Sequence, residues 1–208
     1  MSLLVLAIYL PIMASSAFAT SIPVANYSFE TNNGFNNFCG GSCEFSTGLA
    51  IPGWNSSAGS GQWITGGYAG NPNAFDQSTL AYSNGGSIWQ DVTTAATGTT
   101  YTLQVEILHR TDYPADALVK LQVGGISVAT ATGTDLGPGT WSNYTATYTA
   151  TAADAGQTVT ILLQSYGAQG DWDYVRLDGS NGTTPEPASM LLLASGAGLA
   201  ALRRRRSR

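Results

Sequence analysis

Apolar and polar residues alternate along the middle of the chain. In residues 99–110 one face would carry four apolar side chains in steps of two, Tyr101, Leu103, Val105 and Ile107. The other face would be polar except for Leu108. A period of two is typical of a β-strand with one buried face.

The same alternation recurs in four further runs, residues 117–123, 143–149, 158–165 and 174–177. Glycine-rich turn signals separate the runs, among them residues 84–86, 124–125, 137–139 and 155–156. No stretch of this region has the 3.6-residue period of a long amphipathic helix. We therefore expect an all-β domain of about eight antiparallel strands in two packed sheets.

The N-terminal residues 1–19 have the pattern of a secretory signal peptide. Residues 3–12 are apolar, and Ala17-Phe18-Ala19 fits a small-residue cleavage site. Cleavage after Ala19 would make Thr20 the new N-terminus. The Lys or Arg that usually precedes the apolar stretch is missing here.

The C-terminal residues 181–208 combine three features. Pro185, Glu186 and Pro187 form a short motif, residues 188–202 are uncharged and apolar, and residues 203–208 hold five arginines. As a helix the apolar run would span roughly 22 Å, which can cross a bilayer if arginine stems snorkel and the bilayer thins. We predict one transmembrane helix with its basic end in the cytoplasm. The alternative is a buried C-terminal helix of the globular domain.

This order of a Pro-Glu-Pro triplet, an apolar helix and a basic cluster resembles the PEP-CTERM sorting signal of Gram-negative bacteria. The resemblance implies export, a transient anchor in the inner membrane, and an exosortase that cuts near the motif. The expected organisation is then a signal peptide at 1–19, a β-sandwich domain at 20–180 and a sorting signal at 181–208. The mature protein would reach the cell surface or the extracellular matrix.

The sorting signal hides the acidity of the domain. The whole chain has a net charge of −5, but before residue 185 only three basic residues face twelve acidic ones, a net charge of about −9. Such a charge argues against binding nucleic acid or an anionic membrane surface. It favours solubility, divalent cations, and neutral or basic ligands.

The two cysteines, Cys39 and Cys43, lie four residues apart. In an exported chain this spacing favours a local disulfide that stiffens a turn. A metal site is the alternative, but it would need further Cys or His residues nearby, and the sequence has only His109.

A series of short motifs resembles galactose-binding-like carbohydrate-binding modules. The motifs are Asn26 to Glu30, Pro52-Gly53-Trp54, Gln90-Asp91-Val92, Gly139-Thr140-Trp141 and Trp172 to Leu177. The resemblance implies a jelly-roll β-sandwich. It also implies one structural Ca²⁺ held by Glu30 and Asp173, with backbone carbonyls completing the site. The alternative for this pair is two exposed carboxylates at strand ends.

Sugar binding would require exposed aromatic rings beside polar groups. The candidate ligand-binding residues are Trp63, Tyr68, Tyr82, Trp89, Arg110, Asp112 and Tyr113. We expect Trp63 and Tyr68 to be exposed, because they lie in a glycine-rich segment. For each of these residues, packing within the fold is the alternative.

No catalytic motif is evident. His109 is interpreted as a hydrogen-bonded residue at a strand end, and Asp112, Asp116, Asp171 and Asp173 could pair like glycosidase carboxylates. We expect a non-catalytic protein that binds, or forms part of, extracellular polysaccharide or the cell envelope. The alternatives are a structural surface protein without a specific ligand and a glycan-active hydrolase.

Overall fold

The computed structural model describes residues 19–181, which form a β-sandwich of fourteen strands. In chain order the strands are β1 (Ala19–Ile22), β2 (Asn37–Gly40), β3 (Cys43–Phe45), β4 (Asn55–Ser56), β5 (Ser60–Ile64), β6 (Leu80–Asn84), β7 (Ser87–Thr94), β8 (Thr99–His109), β9 (Leu118–Val123), β10 (Ile126–Thr130), β11 (Thr132–Gly133), β12 (Thr140–Thr149), β13 (Thr158–Gln164) and β14 (Gln169–Asn181). Two single 3₁₀ turns occur at Tyr68–Gly70 and Ala152–Asp154. The all-β class expected from the alternation is confirmed.

The strands form two antiparallel sheets. The larger sheet has nine strands in the order β11-β12-β8-β14-β6-β5-β3-β2, and β1 pairs with the second half of β14. The smaller sheet has five strands in the order β10-β9-β13-β7-β4. The strands are more numerous than the eight expected, because short strands such as β4 and β11 are too brief for alternation to be visible.

The alternating residues build the core between the sheets. Those of β8, from Tyr101 to Ile107, are buried against the apolar residues of β9 and β13. The buried positions of the smaller sheet include Val119, Leu121, Val123, Val159, Ile161 and Leu163. Each step of two along a strand returns the side chain to the same face, so the sequence pattern directly places these residues in the core.

The face of the nine-stranded sheet turned away from the smaller sheet is also partly covered. A second apolar cluster lies there, consisting of Cys43, Trp63, Leu80, Tyr82 and Leu108. Leu108, the apolar exception on the polar face of β8, is buried in this cluster. We call this side of the sheet the outer face.

The two terminal segments of the chain lie outside the described residues. These include the predicted signal peptide up to residue 18 and the predicted apolar helix at 188–202. Within residues 19–181 no helix is long and apolar enough to cross a membrane.

Gly61 on β5 provides a test of the packing of the outer face. A Cβ at this position would overlap the backbone oxygen of Ser46 and lie 2.9 Å from the Tyr82 ring. We expect Gly61→Ala to lower the free energy of unfolding by about 1–3 kcal/mol, because the backbone of Ser46 must move.

Gly167→Ala is the matched control for this substitution. An added Cβ at Gly167 meets no atom within 4 Å, so this variant should unfold within about 0.5 kcal/mol of wild type. Urea denaturation of both variants measures the difference. Equal stabilities would contradict the described packing between β3, β5 and β6.

Candidate functional site

A cavity of about 480 Å³ opens on the outer face of the larger sheet. Its aromatic lining comes from Phe38, Phe45, Trp63, Tyr68 and Tyr82. Its polar lining comes from Thr47, Asn84, Arg110 and Gln169. A mostly aromatic wall with a few polar groups is typical of a small-molecule site.

The β2–β3 hairpin forms one wall of the cavity. The structure joins Cys39 to Cys43 by a disulfide, with Cα atoms 5.2 Å apart, across the turn of this hairpin. The indole N–H of Trp63 donates a hydrogen bond to Cys43 Sγ at 3.1 Å. The disulfide and the indole therefore fix each other at the base of this wall.

Tyr82 is held beside Gly61 on the floor of the cavity. The two residues are register partners, and Gly61 leaves room for the tyrosine ring. The phenol donates to the backbone oxygen of Ser46 at 2.7 Å and lies 3.2 Å from the Thr47 hydroxyl. Burial raises the pKa of Tyr82, so the phenol stays neutral and acts as a hydrogen-bond donor.

Arg110, directly after β8, is a buried cation at the edge of the cavity. Its guanidinium forms a bidentate pair with Asp112, at 2.9 and 2.7 Å. It also lies 4.6 Å from the Trp63 ring centroid and 5.6 Å from that of Tyr113. The hydrogen bond from Arg110 lowers the pKa of Asp112, so this pair is ionised.

A chain of hydrogen bonds runs from this pair to Asp171. Arg110 Nη1 donates to Gln169 Oε1, and Gln169 Nε2 donates to Asp171 Oδ1 at 2.8 Å. Gln169 is thereby oriented, because its oxygen must accept from arginine and its amide must donate to the carboxyl group. Gln169 lines the cavity, so the chain leads from the cavity edge to the acid behind it.

Asp171 is wholly buried behind the cavity lining. It is the register partner of Tyr82, and side chains of paired residues lie on the same face of a sheet. Its Oδ2 atom has no hydrogen-bond partner among the described residues. Burial raises the pKa of Asp171 to about 7, against the opposing effects of Arg110 and Gln169.

A neutral carboxylic acid beside an aromatic cavity can donate a proton. At pH values below about 7 the acid is protonated, and its unpartnered oxygen is free to carry the proton. A carboxyl group with a raised pKa in a cleft is a recurrent mark of general acids in enzymes.

The structure brings together most of the ligand-binding residues predicted from the sequence. Trp63, Tyr68, Tyr82 and Arg110 line the cavity, while Asp112 and Tyr113 flank Arg110. Trp89 lies apart from them, on β7 of the smaller sheet. Trp63 differs from expectation: it is only 4% exposed, because the disulfide hairpin and Arg110 cover it.

The loop after β8 is anchored on both sides of the cavity. Asp116 Oδ2 accepts hydrogen bonds from three consecutive backbone N–H groups, those of Tyr166, Gly167 and Ala168. Asn71 donates to Asp112 and accepts from the backbone of Thr111. Asp112 and Asp116, considered as catalytic carboxylates from the sequence, thus hold the loop in place.

The predicted calcium ligands lie close to one another in the fold. Glu30 accepts hydrogen bonds from the backbone of Ser78 and Thr79, and Asp173 accepts from the backbone of Asp76 and Tyr174. Asp173 is wholly buried, in contrast to the exposed carboxylates of the alternative interpretation.

The carboxylate oxygens of this pair already accept N–H groups. Within residues 19–181 no cluster of three or more His, Cys, Asp or Glu side chains is arranged as a metal site. Bound calcium would therefore need backbone carbonyls or water as further ligands. Calcium at Glu30 and Asp173 stays a prediction.

His109 has a partner that the sequence did not reveal. Its Nδ1 lies 2.8 Å from Asp135 Oδ2, in the loop that leads into β12. A backbone hydrogen bond from Gly137, followed by His109, lowers the pKa of Asp135. The pair joins the ends of two strands at the protein surface.

Residues 20–178 match the sequence model of a family described as HpiC1 cyclase, and residues 183–206 match the PEP-CTERM protein-sorting motif. The second match confirms the sorting signal identified from the sequence, which marks the chain for export and sorting to the cell envelope by a Gram-negative exosortase system. A comparison with curated proteins finds no match.

Solved structures with the same fold include two cyclases. A cyclase from Fischerella sp. TAU has 21% sequence identity and a TM-score of 0.66, over 80% of this chain and 100% of its own. The Stig cyclase Fisc from Fischerella sp. TAU, in complex with (3Z)-3-(1-methyl-2-pyrrolidinylidene)-3H-indole, has 21% identity and a TM-score of 0.64, over 79% of this chain and 100% of its own. The CBM22-1 xylan-binding domain of Paenibacillus barcinonensis Xyn10C has 13% identity and a TM-score of 0.47, over 82% of this chain and 99% of its own.

The calcium hypothesis makes a direct prediction. A ligand that binds only the folded state raises its stability, so millimolar Ca²⁺ should raise Tm relative to EDTA. Glu30→Gln should abolish this response, and Glu44→Gln, which changes an exposed carboxylate elsewhere on the larger sheet, should retain it. Identical melting curves of wild type in Ca²⁺ and in EDTA would exclude the ion.

Asp171 predicts a pH dependence of stability. Its pKa is raised from 3.8 to about 7, so between these pH values the folded state binds a proton that the unfolded state releases. By linkage, its contribution is fully present below pH 4 and is lost, on the order of a few kcal/mol, as the pH rises to about 7. Asp171→Asn, a mimic of the neutral acid, should match wild type near pH 4 and be more stable than wild type near pH 8.

The difference in stability between wild type and Asp171→Asn isolates the contribution of Asp171. Asp173, whose pKa burial raises to about 8, changes wild-type stability in the same direction but is present in both proteins. Urea denaturation across the pH range measures both. Parallel stability curves for wild type and Asp171→Asn would show that Asp171 is ionised in the folded protein.

Proposed function

The chain belongs to the HpiC1-like cyclase family, and we propose that its cavity binds a small ring-bearing molecule to which Asp171 donates a proton. The observation that carries this proposal is the buried carboxyl group behind the aromatic lining, with one oxygen unpartnered. The indole-bearing ligand of the Fischerella Stig cyclase gives an example of a flat ring bound by the same fold.

The surroundings of Asp171 suit acid catalysis. A proton given to a carbon–carbon double bond or a ring nitrogen leaves a cation on the substrate, and the aromatic rings of Tyr68 and Tyr82 can stabilise a cation. Closure of a ring by an internal π bond followed by loss of a proton to the Asp171 carboxylate would restore the acid. Such a cyclisation is an isomerisation and uses no further reactant.

Arg110 and Gln169 are proposed to position the acid. Gln169 holds Oδ1, which leaves Oδ2 without a hydrogen-bond partner behind the cavity lining. A ligand reaches Oδ2 only when the side chains of Tyr82 and Gln169 move apart, because Asp171 is wholly buried. The sequence alone led to the expectation of a non-catalytic protein, because nothing in it distinguishes Asp171 from Asp112, Asp116 and Asp173, the other acids considered as catalytic carboxylates.

The setting of this activity is proposed to be outside the cell. The sorting motif implies that an exosortase processes the chain, and the domain carries a net charge of about −9. We infer that the released domain works in or near the extracellular polysaccharide matrix.

Quinoline and naphthalene test the proposal as a matched pair of probes. They share one shape, but only quinoline has a ring nitrogen that can accept the proton of Asp171. We expect both to bind, and we expect quinoline affinity to fall several-fold as the pH rises from about 6 to about 9 and Asp171 ionises. Quenching of tryptophan fluorescence measures binding, because Trp63 lines the cavity.

The controls separate binding from protonation. Naphthalene affinity should not vary with pH, and Asp171→Asn should remove the pH dependence for quinoline while both probes still bind. Failure of both rings to bind wild type would refute the small-molecule site. An unchanged pH dependence in Asp171→Asn would refute Asp171 as the donor.

A further inference from the structure

Four aromatic side chains form a row on the surface beside the bulge of β14. The ring centroids of Tyr27 and Tyr174 are 5.6 Å apart, those of Tyr174 and Phe75 are 5.6 Å apart, and those of Phe75 and Trp141 are 6.2 Å apart. Phe75 is 48% exposed and Tyr27 41% exposed, while the other two rings are half-buried. We call these four residues the aromatic row; none of them lines the cavity described above.

Two hydrogen bonds fix the segment that carries Phe75. Trp141 Nε1 donates to the backbone oxygen of Asn73 at 2.9 Å, just before Phe75 in the chain. The backbone N–H of Asp76, just after Phe75, donates to Asp173 at 2.8 Å. An exposed ring on such a fixed segment loses little conformational entropy when it binds a partner.

Tyr174 enters the row through a strained backbone. The β-bulge between Asp173 and Arg176 places Tyr174 at φ 50°, in the left-handed region that costs a non-glycine residue about 1 kcal/mol or more. Bulges commonly redirect a side chain toward a site. Here the ring projects toward Tyr27 and Phe75, while the next residue, Val175, stays in the core.

The size of the row argues against a second copy of the protein as its occupant. Four side chains, two of them half-buried, offer at most a few hundred Å², whereas a stable interface needs roughly 800 Å² from each partner. Neighbouring rings are inclined by 40–67° to one another, so the row offers a series of separate ring contacts, on which the C–H groups of successive sugar rings can pack.

The charged residues around the row favour a neutral polymer over an anionic one. Glu30, Asp76 and Asp173 lie next to it, and Arg176 is the one cation that the described residues place against it, with its guanidinium 4.4 Å from the Tyr174 ring centroid. A polyanion would be repelled by the carboxylates of Glu30 and Asp76, which are partly exposed, whereas Asp173 is wholly buried. The phenol groups and the guanidinium can instead form hydrogen bonds with hydroxyl groups.

We propose that the aromatic row is a second binding site, separate from the cavity, for a neutral polysaccharide chain. The site would hold the domain on matrix polymer while the cavity stays open to small molecules. It depends on neither the activity of the cavity nor the identity of its ligand.

Affinity electrophoresis of the domain tests this proposal. The gels contain xylan, hydroxyethylcellulose, galactomannan or dextran as neutral polymers, and alginate as the anionic polymer. We expect at least one neutral polymer to retard the wild-type domain and alginate to have no effect. Tyr27→Ala combined with Phe75→Ala should weaken binding about tenfold or more, because two ring contacts are lost.

Two control variants accompany the test. Ile126→Ala removes an apolar side chain that is 72% exposed on the smaller sheet, and Asp171→Asn changes the cavity; both should bind like wild type. Retardation by none of the neutral polymers, retardation by alginate alone, or undiminished binding by the double variant would each overturn the proposal. A wild-type dimer in light scattering that Phe75→Ala abolishes would overturn it in favour of an interface between copies.

Discussion

Both candidate sites depend on the antiparallel pairing of β8 with β14 in the centre of the larger sheet. This pairing runs from Trp172 opposite Ile107 to Asn181 opposite Thr99. It brings Arg110, at the end of β8, beside Gln169 and Asp171, at the start of β14. Its single bulge also presents Tyr174 at the surface. A shift of this register by one residue would reverse every side chain between core and outer face, and would dismantle the core and both sites together.

The outer face explains how an acid can be buried in so acidic a domain. β6 lies along the other edge of β14, the disulfide hairpin covers Trp63, and Arg110 is held beside Trp63 by Asp112. These parts exclude water from Asp171. They supply no cation that pairs with Asp171 alone, because the charge of Arg110 is already neutralised by Asp112. Burial therefore dominates, and the pKa of Asp171 rises to about 7.

The β-sandwich could be predicted from the sequence, because apolar and polar residues alternate clearly in its long strands. β8, β9 and β13 begin or end within one residue of the predicted limits, and their apolar positions lie in the core. The cavity was harder to predict. Its walls come from short glycine-rich strands without alternation. Asp171 is buried by residues distant in the sequence, such as its register partner Tyr82, 89 positions earlier in the chain. Leu108 was the available signal, since an apolar residue on a polar strand face indicates that the second face is covered.

Buried polar atoms without a hydrogen-bond partner are concentrated in β14. Within residues 19–181 the buried side-chain atoms without a hydrogen-bond partner are Asp171 Oδ2, Trp172 Nε1 and Arg176 Nε, and all three belong to this strand. Tyr174 adds a left-handed backbone between them. Each such feature costs on the order of 1 kcal/mol or more. The strand can retain them because β8 pairs with one edge before and after the bulge, while β6 pairs with the other edge up to Trp172 and β1 from Leu177, so the segments on both sides of Tyr174 are fixed. Of the three atoms, Asp171 Oδ2 is the one behind the cavity lining, where a bound molecule could become its partner, whereas Trp172 lies in the core between the sheets.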